Sequence, residues 1–252
     1  MARLASHFEH VDFPVELALP HRVDDFLRIA DRMAEVRDFV LGRGIEVLSV
    51  HAAQGKLSAD DYAKWAEPAM QLADEIGAKS VTFHPNQSKH NRQNDQISAR
   101  RHLRALQRGR LALAAVETFG GHGRVLRPEE IVAKGLPLVL DTSHIHDDER
   151  IRRLIREYHQ NIPAVHLSAR TGSEQHLPID AFCLEVVGLL QTLKWTGSVI
   201  LEYLPWHHYR TKADLRLIER FLHGEQNLEI PPPDDRFKDE PDRWGYGDMG
   251  DG

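Results

Sequence analysis

Six short apolar segments of this chain each end at a histidine or an acidic residue. These residues are His51, His84, Glu117, Asp141, His166 and Glu202, at intervals of 33, 33, 24, 25 and 36 residues. An apolar run on consecutive positions, such as Leu138 to Leu140, is typical of a parallel strand that is covered on both faces. The intervals are close to the length of one strand-plus-helix unit. The repetition therefore favours an α/β fold built on a parallel sheet.

The segments between these strands have the spacing of helices. Residues 24 to 41, for example, are apolar at helical intervals, and Gly42 and Gly44 follow where a helix would end. The length of 252 residues is typical of an eight-fold α/β barrel. We therefore predict a single-domain (β/α)8 TIM barrel over residues 1–224. The loop from Ser168 to Pro178 leaves room for only a very short seventh strand.

Charge is unevenly distributed along the chain, although the formal net charge is only −6. The segment from Lys89 to Arg110 has seven basic residues and one acid. It is either a solvated helix face or a rim that attracts phosphate. Residues 225–252 are acidic and contain proline and glycine, which predicts a C-terminal tail with little fold of its own.

The sequence also predicts the compartment. No apolar run approaches the roughly 18 to 20 residues that a membrane span needs, so no membrane partner is expected. The first six residues lack the apolar core of a signal peptide, and a cytoplasmic protein is expected. Cys183 is the only cysteine, and its apolar neighbours predict a buried packing role on a helix.

In a closed barrel, the six residues that end the apolar segments would converge at the carboxyl mouth. A cluster of histidines and acids without compensation would be costly, whereas divalent metal would neutralise the acids and use neutral imidazoles as ligands. The alternative is a structural network of hydrogen-bonded histidines. Zinc is the favoured cofactor because both side-chain types ligate it, with manganese or magnesium as alternatives.

At these positions the chain resembles the xylose isomerase-like barrels, which include the endonuclease IV family and many sugar isomerases and epimerases. The resemblance covers roughly residues 15–222. It rests on Phe83-His-Pro85, Val116-Glu-Thr118, Leu140-Asp-Thr-Ser-His144, Val165-His-Leu167 and Ile200-Leu-Glu202.

The endonuclease pattern implies three metals. A first metal would be held by His51 and His84, with Glu117 bridging to a second. Asp141, His166 and Glu202 would complete the second site, and the third would be held by His144, Glu174 and His176. Glu117, Asp141 and Glu202 are the catalytic candidates.

Two features depart from that pattern. Glu174 stands where the endonucleases have aspartate, and the segment Leu177-Pro-Ile-Asp180 looks more like the isomerases. We expect a metal-cluster hydrolase of phosphate esters. The alternatives are a sugar or sugar-phosphate isomerase or epimerase, with one metal held by Glu117, Asp141, His166 and Glu202, and a non-catalytic metal-binding scaffold.

The expected substrate is a small phosphorylated or sugar molecule. DNA-cleaving members of the group grip the duplex with long loops, and this chain has few such insertions, so a nucleic-acid substrate is disfavoured. Four residues near strand ends could contact the substrate or could be solvated loop residues: His122, Arg170, His207 and His208.

Overall fold

The computed structural model describes residues 13–85, 92–119, 125–225 and 227–232. The strands are β1 (Val15–Ala18), β2 (Val47–His51), β3 (Ser80–Phe83), β4 (Leu113–Glu117), β5 (Leu138–Asp141), β6 (Ala164–Leu167), β7 (Ala169–Thr171), β8 (Glu174–Leu177) and β9 (Ser198–Leu201). The α-helices are α1 (Val23–Leu27), α2 (Met33–Gly42), α3 (Ala63–Ile76), α4 (Arg92–Leu106), α5 (Pro128–Val132), α6 (Asp148–Tyr158), α7 (Ala181–Thr192) and α8 (Thr211–Leu222).

The main sheet has seven strands in the order β1-β2-β3-β4-β5-β6-β9, and the TIM-barrel fold class is confirmed. All four residues of β3, of β5 and of β6 are buried, as expected for parallel strands covered on both faces. In the described part of the chain, no eighth strand joins this sheet. The predicted seventh strand is replaced by an antiparallel hairpin of β7 and β8. Gly172, at φ +55°, supplies the left-handed backbone that a tight hairpin turn requires.

The chain forms two compact units, Met1–Val139 with Asn161–Ala164, and Leu140–Gln160 with Val165–Gly252. In the first unit, the parallel register pairs Val50 with Val81 and Phe83 with Val116. This register brings the carboxyl ends of β2, β3 and β4 side by side. Helix α3 packs against β2 and β3, and its buried residues are Trp65, Ala66, Ala69, Met70, Leu72 and Ala73.

In the second unit, helices α6 and α7 both begin at an aspartate cap. Asp147 Oδ1 accepts a hydrogen bond from the backbone N–H of Arg150 at 3.0 Å, and Asp180 Oδ1 accepts one from Cys183 at 2.9 Å. These bonds satisfy amide donors that have no partner within the first helical turn. The caps therefore fix where each helix leaves its preceding loop.

Tyr203, Arg210 and Asp214, which follow β9 in the chain, form a buried polar network. The Tyr203 hydroxyl donates to Asp214 Oδ2 at 2.8 Å, and Arg210 Nη2 donates to Asp214 Oδ1 at 2.7 Å. Burial and the charge of Asp214 raise the pKa of Tyr203 well above its usual range. Arg210 Nη1 also donates to the backbone oxygens of Pro231 and Pro232, at 2.9 and 3.2 Å.

The helices differ from expectation in the first segment. The single helix expected over residues 24–41 is divided into α1, a 3-10 turn at Ala30–Arg32, and α2.

Within the described ranges, no helix is both long enough and apolar enough to cross a membrane. Most of the predicted acidic tail lies outside the described residues, so its boundary at residue 225 stays a prediction.

Candidate metal centre

The first ligand group lies at the carboxyl ends of β2, β3 and β4. His51 Nε2 is 2.6 Å from His84 Nε2, and Glu117 Oε2 is 2.9 Å from His84 Nε2 and 3.8 Å from His51 Nε2. Glu117 is fully buried. Two imidazole lone pairs that face each other at this distance repel. The two Nε2 atoms therefore need a proton or a cation between them. The sequence-predicted ligands of the first metal are therefore together.

Glu16, on β1, orients His51 within this group. Its Oε2 lies 3.2 Å from His51 Nδ1, while its Oε1 accepts hydrogen bonds from Ser49 Oγ at 2.6 Å and Thr82 Oγ1 at 3.3 Å. When His51 Nδ1–H donates to this carboxylate, Nε2 is left as the ligand atom, an arrangement that recurs behind metal-binding histidines. Glu16 was not among the residues predicted from the sequence, although an acid within the apolar β1 segment was a signal.

His21 is a second residue that was missed. It lies three residues after the end of β1 at Ala18, and its ring centroid is 6.3 Å from that of His84. Desolvation, followed by the charges of His84 and His51, lowers the pKa of His21. Its sequence signal was weaker than that of His51 and His84, because Leu19 and Pro20 separate His21 from the end of β1.

Asp141 organises the second unit's ligands at the end of β5. Its Oδ1 accepts hydrogen bonds from the N–H and Oγ of Ser143, at 2.6 and 2.8 Å, and from the N–H of His144 at 3.2 Å. Its Oδ2 faces His144 Nδ1 at 3.3 Å and His176 Nδ1 at 3.9 Å. Oδ1 thus fixes the loop after β5, and Oδ2 faces the imidazoles of His144 and His176.

Glu174, which was predicted to hold the third metal with His144 and His176, is not in the group that these two histidines form with Asp141. Asp141, His144 and His176 offer ligand atoms within 4.8 Å of one another, and none of the groups found among the described residues includes Glu174. Residues two apart point to the same side only in a regular strand. His176 has a φ of +55°, in the left-handed region, which breaks the alternation between the two side chains. The role of Glu174 as a ligand stays a prediction.

His166 and Glu202 form a further group with Asp141. His166 is fully buried, and its Nδ1 is 2.7 Å from Glu202 Oε2. The ligand atoms of Asp141, His166 and Glu202 lie within 4.8 Å of one another. Asp141 is therefore common to both ligand groups of the second unit.

These donor sets fit a divalent metal. Each consists of imidazole nitrogens and carboxylate oxygens, which are ligands of zinc. Two ligand atoms about 2.0 Å from a tetrahedral zinc lie roughly 3.3 Å apart, and the distances within the His51 group, between 2.6 and 3.8 Å, lie around that value. Three protein ligands leave a tetrahedral position for water or substrate, as catalytic zinc sites require.

Among the four residues predicted to contact substrate, the three that the structure describes differ in burial and in hydrogen-bond partners. Arg170 Nη2 donates to Asp148 Oδ1 at 2.6 Å. His207 is buried in the 3-10 turn Pro205–Arg210. His208 Nε2 lies 3.0 Å from the backbone oxygen of Tyr203. His122 lies outside the described residues, and the assignment of all four to substrate stays a prediction.

Several solved structures share this architecture. A D-tagatose 3-epimerase-like protein has a TM-score of 0.67 and 15% identity, over 88% of this chain and 93% of that one. Endonuclease IV from Thermus thermophilus has a TM-score of 0.57 and 18% identity, over 84% and 99%. The IolI protein with a bound zinc atom has a TM-score of 0.59 and 13% identity, over 83% and 87%.

Sequence comparison alone identifies no relative, because no family model and no curated protein matches the chain. At the identities of the solved structures, the likeness concerns the fold. The similar structures include epimerases, an endonuclease and a xylose isomerase domain protein. The chain therefore has the TIM-barrel fold of the xylose isomerase-like proteins, as its sequence motifs indicated.

Proposed function

We propose that this chain is a divalent-metal-dependent hydrolase of phosphate esters that acts on a small substrate. The observation that carries the proposal is that the described residues supply one ligand set within the first unit and two within the second. They are His51–His84–Glu117 in the first unit, and Asp141–His166–Glu202 and Asp141–His144–His176 in the second. An isomerase that uses one metal needs only one such group.

The proposed chemistry follows from what these side chains hold. Divalent cations, when bound, neutralise phosphate oxygens and make water more acidic, so that it attacks phosphorus near neutral pH. Glu117 and Asp141 are fully buried carboxylates that set the positions of the ligands around them. Glu16 and Ser143 hold His51 and Asp141 in the orientations that expose their ligand atoms. Glu117, Asp141 and Glu202 remain the proposed catalytic residues.

Metal content per chain tests the number of sites. We expect three equivalents in the purified wild-type protein and the loss of one in a His144→Ala/His176→Ala variant. A Glu174→Ala variant tests the predicted role of Glu174 separately: loss of the same equivalent would make it a ligand, and retention of all three would place it outside the site. A His146→Ala/His223→Ala variant is the matched control, since both of these histidines are exposed. One equivalent in the wild type, unchanged in the double variant, would overturn the proposal.

Activity is the second test. We expect the wild type to hydrolyse bis(p-nitrophenyl) phosphate and Glu117→Gln to be inactive while remaining folded, because a neutral amide matches the carboxylate in size but is a poor ligand. Glu46→Gln, at an exposed position before β2, is the control and should keep full turnover. A metal-loaded wild type with no phosphodiesterase activity would contradict the hydrolase.

The second candidate is a sugar or sugar-phosphate isomerase or epimerase. The sugar epimerases among the structures that share this fold support it as an alternative. In that reaction one metal would polarise the sugar carbonyl, and the remaining histidines would contact the substrate. Interconversion of a ketose panel by protein with one metal per chain would select this candidate.

A further inference from the structure

An arginine-lined cleft lies on helix α4, within the first unit. It has a volume of about 380 Å³ and is lined by Ile97, Arg100, Arg101, Arg104 and Arg108. Ile97, Arg101, Arg104 and Arg108 follow one another at intervals of four, three and four residues, which places them along one face of the helix and the turn after it. This arginine cleft corresponds to the basic segment noted in the sequence.

Among the described residues, the arginines of the cleft form no ion pair with an acid. Arg92 and Arg110, at the two ends of the basic segment, pair with Glu130 at 2.5 Å and with Glu67 at 2.9 Å. Across residues 13–85, 92–119, 125–225 and 227–232, Arg104 and Arg108 form no ion pair. Four guanidinium groups around one concavity create a positive potential that attracts anions. The ends of the segment thus form ion pairs, whereas its centre has no acidic partner among the described residues.

Two arginines of the cleft are held in position by uncharged acceptors. Arg101 Nη2 lies 3.2 Å from Nε2 of His102, whose Nδ1 is 2.7 Å from the backbone oxygen of Leu57. Because His102 is buried and donates from Nδ1 to that oxygen, its Nε2 accepts from Arg101. Arg100 Nε donates to the backbone oxygen of Gln96 at 3.0 Å. These bonds orient the two side chains without cancelling their charge.

The dimensions and lining of the cleft favour a compact anion. Single-stranded nucleic acid is bound by grooves that combine positive charge with aromatic side chains on which bases stack. The residues found to line the cleft supply four guanidinium groups and one isoleucine, without an aromatic ring. Guanidinium groups match phosphate oxygens through paired hydrogen bonds. We propose that the arginine cleft binds a compact polyphosphate, such as the triphosphate group of a small molecule, at a site distinct from the metal ligands.

Binding of inorganic triphosphate to the full-length protein, measured by isothermal titration calorimetry, tests this proposal. We expect saturable binding at one site per chain in addition to any at the metal centre. Replacement of Arg101, Arg104 and Arg108 by glutamine should weaken that site by about tenfold or more, since charge-assisted hydrogen bonds are lost. The matched control replaces Arg43, Arg153 and Arg216, which are also exposed, by glutamine and makes the same change in net charge.

The outcomes separate the possible sources of binding. Loss in the cleft variant and retention in the control variant would support the site. Equal weakening in both variants would show a net-charge effect and overturn it, and unchanged affinity in the cleft variant would place the triphosphate elsewhere. Tighter binding of a twelve-nucleotide single strand than of triphosphate would replace the compact anion with nucleic acid. Melting temperatures of both variants check that each is folded.

Discussion

At the residue scale, Glu16 determines which nitrogen of His51 faces the ligand group. We expect Glu16→Gln to weaken metal binding by about 10- to 100-fold, the usual effect of removing a carboxylate behind a histidine ligand. The reason is that a neutral amide stabilises the imidazole orientation less strongly than a carboxylate does. Competition with a fluorescent chelator would measure this affinity, with Glu46→Gln as the control. Equal affinity in Glu16→Gln and wild type would remove Glu16 from the site.

Cys183 illustrates a residue whose surroundings prevent reactivity. It is fully buried in α7, and burial, together with the nearby charge of Asp180, raises the pKa of its thiol well above the usual value. Because the thiolate is the reactive form, a raised pKa leaves very little of it near neutral pH. We expect no reaction with a disulfide reagent in the native protein and one thiol per chain after denaturation in guanidinium. Rapid labelling of the native protein would contradict the burial.

At the element scale, Asp180 is the N-cap of helix α7. The segment Leu177-Pro-Ile-Asp180 looked isomerase-like in the sequence, and its aspartate has this structural role through the bond to the Cys183 N–H. We expect Asp180→Ala to lower the free energy of unfolding by about 1 kcal/mol. Chemical denaturation measures the effect, and Asp180→Asn, which retains a capping oxygen, should lose little. A free energy of unfolding for Asp180→Ala equal to that of the wild type would show that the cap does not contribute to stability.

At the scale of the whole molecule, two truncations test which part of the C-terminal segment contributes to stability. Ending the chain after Pro232 should leave the melting temperature unchanged, because residues 233–252 are rich in charge and proline and have little apolar surface to bury. Ending it after Gly224 removes the oxygens that accept from buried Arg210. We expect this second truncation to cost about 1–3 kcal/mol, the range for a buried donor left unsatisfied.

Thermal unfolding followed by circular dichroism compares the two truncated proteins under one condition. A large fall in melting temperature for the shorter deletion would show that the acidic tail stabilises the folded chain. An unchanged value for the longer one would show that the Arg210 contacts are dispensable.

The amino-acid sequence by itself determined where the strands end and which residues stand there. Apolar runs identify buried parallel strands without knowledge of their neighbours, so the candidate ligands His51, His84 and Glu117 could be named from local pattern alone. The same pattern applied to β5, β6 and β9. The parallel fold then follows because such strands bury both faces only in an α/β arrangement.

Only the tertiary structure decided which of these residues meet. Glu16 reaches His51 through the pairing of β1 with β2, a contact between residues 35 positions apart. Asp141 Oδ2 faces His144 and His176 through the pairing of distant segments, with His176 on the β7–β8 hairpin. Such contacts depend on register, backbone handedness and packing across long sequence separations, whereas local periodicity reports only burial and element type. The candidate ligands were therefore readable from the sequence, whereas the contact of Glu16 with His51 required the tertiary structure.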